Sequence, residues 1–218
     1  LTTNTQPVFN DRGNTVEADA TVQLFVESGN SVGFNTGDGD IDLGTATADG
    51  AGSWTIDTSP SGQGTGPLNA NTMNEIRVIQ IDPAGNESAP SDALPVTVDT
   101  SAPTLSSSTP NNSAPPVDPT ANIELVFSED VVDAGNNGDI VITDTNNGTG
   151  DVTITLPDPQ VMFNTPTADT LTIDPGTDLE LSEDFEVTIA AGVITDAAGN
   201  DAVITSGELN FTTAATPP

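Results

Sequence analysis

Carboxylates are almost the only side chains in this chain with chemistry to offer. It carries 33 Asp and Glu against two bases, Arg12 and Arg77, and it has no His, Cys or Tyr. An imidazole base, a thiolate nucleophile and a phenol are therefore absent, and a Ser-His-Asp arrangement cannot form. Paired carboxylates can hydrolyse glycosides, but among 33 acids close pairs arise by chance, and aromatics at 4% leave little surface to stack a sugar ring. The expectation is a protein that is not an enzyme. Acids clustered in turns are suited instead to a hard cation. Ca²⁺ takes about six to eight oxygens, mostly carboxylate and carbonyl, at about 2.3–2.6 Å.

The spacing of the acids sharpens that reading. Asp38, Asp40 and Asp42 recur at i, i+2 and i+4, as in the front half of an EF-hand loop, but the later Gly and Glu of that loop are missing. Asp82-Pro-Ala-Gly-Asn86 and Asp196-Ala-Ala-Gly-Asn200 share an Asp-x-Ala-Gly-Asn pattern 114 positions apart, each ahead of one closing strand. A pattern repeated at the same place in two halves marks a duplicated architecture. Each copy also reads as a plain turn, with Gly at positive φ and Asp bonding the backbone. Glu129, Asp130 and Asp133 gather just after a predicted strand.

The elements that position these acids read as strands. Val, Ile and Thr alternate with polar residues over Thr21–Val26, Ser53–Asp57, Asn74–Ile81 and Val96–Asp99, and again over Asn122–Ser128, Asp139–Thr143, Asp151–Leu156, Thr170–Ile173, Phe185–Ile189 and Glu208–Thr212. Short strands at this spacing, separated by Asn, Asp and Gly, predict an all-β chain of two tandem Greek-key β-sandwiches, residues 1–99 and 100–218. Val22, Leu24, Trp54, Ile56, Ile76 and Val78 are expected in the first core, and Leu125, Phe127, Ile140, Ile154, Leu171, Val187 and Phe211 in the second. Between them Asp99-Thr-Ser-Ala-Pro103 makes a stiff joint, since Pro103 fixes its own φ and extends the residue before it.

In a Greek-key sandwich the loops after the second and the sixth strands lie at the end where the chain enters. That order predicts one Ca²⁺ site from Asp99, Glu129, Asp130, Asp196 and Asn200. It predicts another set in the first unit from Glu27, Asp38, Asp40, Asp42, Asp82 and Asn86.

Charge bounds the partners. The net charge of −31 divides into −12 over residues 1–99 and −19 over residues 100–218. Nucleic acid and anionic lipid are poor partners for such a surface, because phosphate binding needs the opposite sign. No signal peptide or membrane-spanning segment is visible, and the start at Leu1 reads as a piece cut from a longer protein. Without Cys there are no disulfides, so core packing and bound cations must hold the units.

The motifs taken in order carry a family resemblance. The first unit has Leu43-Gly-Thr-Ala-Thr47, Asp49-Gly-Ala-Gly-Ser-Trp54, the Asp82–Asn86 loop and the Val96-Thr-Val-Asp-Thr-Ser-Ala-Pro103 exit. It resembles the bacterial Ig-like repeats of giant surface adhesins of the RTX-adhesin extender type. The second has Ser108-Thr-Pro-Asn111, Leu125-Val-Phe-Ser-Glu-Asp-Val131, Leu171-Thr-Ile173 and Ile194-Thr-Asp-Ala-Ala-Gly-Asn200, and is similar to the S-layer-type bacterial Ig-like domain. The resemblance implies a calcium-stiffened extender on the bacterial cell surface, outside the cell. It would be a monomer whose partners are neighbouring repeats of its own chain, and it would hold a distal binding domain away from the cell. The alternative is a module that binds a glycan or protein through its loops.

Overall fold

The computed structural model describes residues 2–13, 16–28, 33–59, 67–112, 114–146, 148–164 and 168–215, so parts of the predicted loops between Glu27 and Asp42 and after Asp57 lie outside the described residues. The chain divides into two compact units, Leu1–Thr100 and Ser101–Pro218. Both are built of antiparallel strands, and the described residues contain no α-helix.

Unit one places β2 (Thr21–Val26), β3 (Ile41–Thr47), β5 (Thr72–Ile81) and β6 (Leu94–Val98) in one sheet, in the order β3-β2-β5-β6. The short strands β1 (Val8–Asn10) and β4 (Thr55–Asp57) form a second sheet. Val22, Leu24 and Val26 of β2 pack with Ile76, Leu43, Val98, Ile56 and Leu68 into the core, with Trp54 and Val78 partly buried against it. The alternation predicts this face correctly. It does not predict the other one, where Phe25 is fully buried and Gln23 nearly so. Residues 33–40 explain the difference: the ring of Phe34 sits 5.5 Å from that of Phe25, on what would otherwise be the solvent side of the sheet.

The described residues of unit two form ten strands. One sheet runs β12 (Val161–Phe163), β13 (Thr170–Ile173), β8 (Ile123–Phe127) and β7 (Leu105–Thr109). The other runs β11 (Val152–Thr155), β10 (Asp139–Asp144), β14 (Asp184–Thr195) and β15 (Asp201–Ile204), with β9 (Val132–Asp133) and β16 (Asn210–Thr212) also paired to β14. All seven predicted core residues are buried between the sheets, and Phe185 stacks on Phe211 at 5.9 Å. Fully burying a side chain of that size contributes about 1.5–3 kcal/mol.

The predicted strand Phe185–Ile189 is in fact the first half of a longer one. Its pairing with β15 shifts register between Ile189 and Ile194, where Gly192 takes φ +80°. This bulge carries the strand on to Thr195, and so sets where the Asp196 loop begins. The small strands β9, β12 and β15 lie outside the predicted strands.

Candidate metal centre

Asp196 follows β14 and opens the turn into β15. Its backbone N–H donates to Asn200 O at 3.0 Å, and Gly199 takes φ +98°. The carboxylate is wrapped by its own loop. Oδ1 accepts the backbone N–H groups of Ala198, Gly199 and Asn200 at 2.8, 2.7 and 2.9 Å, and Oδ2 accepts Asn200 Nδ2 at 2.8 Å. Only 4% of Asp196 is exposed. Burial pushes its carboxyl up, but the Asn200 side chain and the three N–H groups outweigh burial and hold it below the ordinary carboxylate range.

Long-range pairing supplies the second acid. β9 pairs with the end of β14, Val132 opposite Thr195 and Asp133 opposite Ile194, so the connection leaving β8 runs beside the Asp196 loop. A carboxylate oxygen of Glu129 thereby comes within 4.8 Å of one of Asp196. Two like charges at that separation repel by about 3–4 kcal/mol at a surface-like dielectric. No base stands in unit two to offset them, since both Arg residues lie in unit one. The donors are all hard oxygen, which suits Ca²⁺ and gives nothing to a thiophilic metal. Asp130 is exposed beside Glu129, and Asp133 turns its Oδ1 to the Gly135 N–H at 2.8 Å. Asp99 follows β6 in unit one, where its N–H donates to Thr2 O at 2.9 Å.

The Asp82 loop repeats the local design. Asp82 Oδ1 accepts the Asn86 N–H at 2.8 Å and Oδ2 accepts Asn86 Nδ2 at 2.7 Å, with Gly85 at φ +89°. The side-chain and backbone bonds from Asn86 hold the Asp82 carboxyl below its ordinary range. Here the predicted companions are not at hand, and the placement of the first-unit set needs correcting. β2 pairs antiparallel with β5, Thr21 opposite Ile81 and Val26 opposite Ile76. Glu27 therefore lies a full strand away from Asp82, about 20 Å at 3.3 Å per residue. Asp38, Asp40 and Asp42 go with Glu27, because Ile41 pairs with Val26. Grouping Glu27 with Asp82 requires the loop after β2 and the loop after β5 to share an end of the sheet, and their antiparallel pairing puts them at opposite ends. The segment that approaches the Asp82 loop is the one ahead of β2, where the Glu17 N–H donates to Gln80 Oε1 at 3.4 Å. Glu17 and Asp19 are the acids missed there.

Each acid of the displaced group has an identified partner. Glu27 is a buried side chain 3.6 Å from Arg77 Nε. Asp38 Oδ2 accepts Asn35 Nδ2, Asp40 accepts two backbone N–H groups, and Asp42 Oδ1 accepts Gln23 Nε2 and the Gly44 N–H. Among the described residues, no three acids of unit one come together as a metal-binding group.

Residues 99–213 match the family model described as a bacterial Ig-like domain. The chain belongs to the bacterial Ig-like domain family. The matched stretch begins at Asp99 and takes in Glu129, Asp196 and Asn200. No curated protein matches the chain in sequence. Among solved structures it is similar to a crystal structure of chicken CNTN1 FN1-FN3 domains, at 7% identity and a TM-score of 0.33, covering 98% of this chain and 64% of that one. The chain thus spans under two thirds of that structure's length, and a likeness so distant carries nothing about function. No described helix is long and apolar enough to cross a membrane.

Proposed function

We propose that this chain is a non-enzymatic extender segment of a bacterial surface adhesin, working outside the cell, in which Ca²⁺ bound at the Asp196 end of unit two stiffens the chain. The close approach of Glu129 and Asp196, with no base in unit two, carries this reading. Asp196, Glu129 and Asn200 would hold the ion, with Asp130 at the rim. An ion bound there would offset the repulsion between Glu129 and Asp196. The chain acts as a monomer whose partners are neighbouring repeats, and its edge strands β6, β7, β11, β12 and β15 are three to five residues long, which discourages edge pairing.

Thermal melting and small-angle scattering of the whole chain, in Ca²⁺ and then in chelator, test the reading. With a Kd of about 10⁻⁴–10⁻³ M, as for extracellular modules, 10 mM Ca²⁺ adds about 1.4–2.7 kcal/mol to the unit that binds it. Chelator should lower the unit-two transition and change the maximum dimension, and Asp196→Ala should abolish both responses. A chain indifferent to chelator would reject the metal. A strong, specific glycan-array signal would favour the loop-binding alternative over the extender.

A further inference from the structure

The acidic loop of unit one does a different job from the one its spacing suggests. Asp40 is 6% exposed, and its two oxygens face opposite ways: Oδ1 accepts the Ser28 N–H and Oδ2 the Asn35 N–H, each at 2.8 Å. Ser28 Oγ donates to Asp38 O at 2.9 Å, and the Asn35 side chain accepts the Gly37 N–H while donating to Asp38. One carboxylate therefore ties both sides of a loop neck, and the side chains around it close the single 3₁₀ turn Thr36–Asp38.

Beneath this neck lies the outer face of β2 and β5. It holds Phe25 at 0% and Ile79 at 6% exposure, with the Glu27–Arg77 ion pair on the same face. Arg77 Nη1 donates to Ser91 O at 2.6 Å, so the pair is gripped from the far side as well. A sheet face open to water would normally carry polar residues here. Phe34, packed on Phe25, belongs to the segment that Asp40 ties down.

We propose that Asp40 is the latch of a strap, residues 33–40 tied back to Ser28, which covers the outer face of unit one and stays shut without a bound cation. Backbone N–H groups present to Asp40 the positive charge that a metal would otherwise supply. Asp38 and Asp42 serve other donors, so the three acids do not converge. Shutting the strap removes two large apolar side chains from the surface of a module meant to stand alone.

Amide hydrogen exchange on the whole chain, followed residue by residue, tests the latch in wild type with and without chelator and in Asp40→Ala. The Ser28 and Asn35 amides should exchange at least about tenfold faster in Asp40→Ala, with a gain in hydrophobic-dye binding, and should be unchanged by chelator in wild type. Unchanged protection in the variant, or release of those amides by chelator, would overturn the proposal. The Val22 and Leu24 amides report the core. Should they also open in Asp40→Ala, Asp40→Asn decides: with one acceptor oxygen left, one of the two neck amides should be released, and protection of both would count against the latch.

Discussion

In the Asp82 loop the aspartate receives the Asn86 backbone N–H at 2.8 Å and its side-chain amide at 2.7 Å; in the Asp196 loop the same two bonds from Asn200 measure 2.9 and 2.8 Å. Gly85 and Gly199 take nearly the same left-handed φ. The surroundings differ. Asp196 is buried and has Glu129 beside it, while Asn86 is exposed and the acids expected near Asp82 sit at the far end of β2. Five residues thus make a self-satisfied turn wherever they occur, and only the packing around the turn makes it a candidate centre.

The widest gap between the loops should appear on removing the aspartates. Asp196→Ala removes the side-chain acceptor of three partly sheltered N–H groups, of which Gly199 alone keeps a second acceptor in the Asp196 carbonyl at 3.3 Å, and charge-assisted bonds of this kind support a loss of about 2–4 kcal/mol from unit two, read by denaturant unfolding. Asp82→Ala should cost clearly less, because water replaces the lost oxygen at an exposed turn. Equal losses would mean that burial does not distinguish the loops.

A matched pair of glycine variants should show no gap. An added Cβ at Gly85 or Gly199 meets nothing within 4 Å, so Gly85→Ala and Gly199→Ala should each cost about 1–2 kcal/mol from backbone strain alone. A much larger loss at Gly199 would point to a contact beyond the loop.

Acid should produce the finest difference. The Asp196 carboxyl is held below its unfolded value, so the unfolded chain binds more protons and stability rises with pH across that window. Its contribution is complete above an unfolded value of about 3.9 and fades as pH falls through the lower folded value. Unit-two melting followed from pH 5 to pH 2 should show this slope, and Asp196→Asn should flatten it. Ca²⁺ should move the loss to lower pH in unit two and leave the Asp82 loop unaffected.

The residues determined by themselves whatever is settled within a few positions. Alternation marked Val22, Leu24 and Ile76 as inward, and Asp-x-Ala-Gly-Asn specified its own turn, because each partner is at most four residues from the aspartate. The two-sided burial of β2, the bend that extends β14, and the end of the sandwich to which each acid belongs were decided only in the tertiary structure. Alternation says which face of a strand points inward but not which strand lies beside it. Pairing Thr21 with Ile81 rather than placing β2 in the opposite sheet is a choice made across many residues, by the summed packing of both sheets and the cover that residues 33–40 lay over one of them.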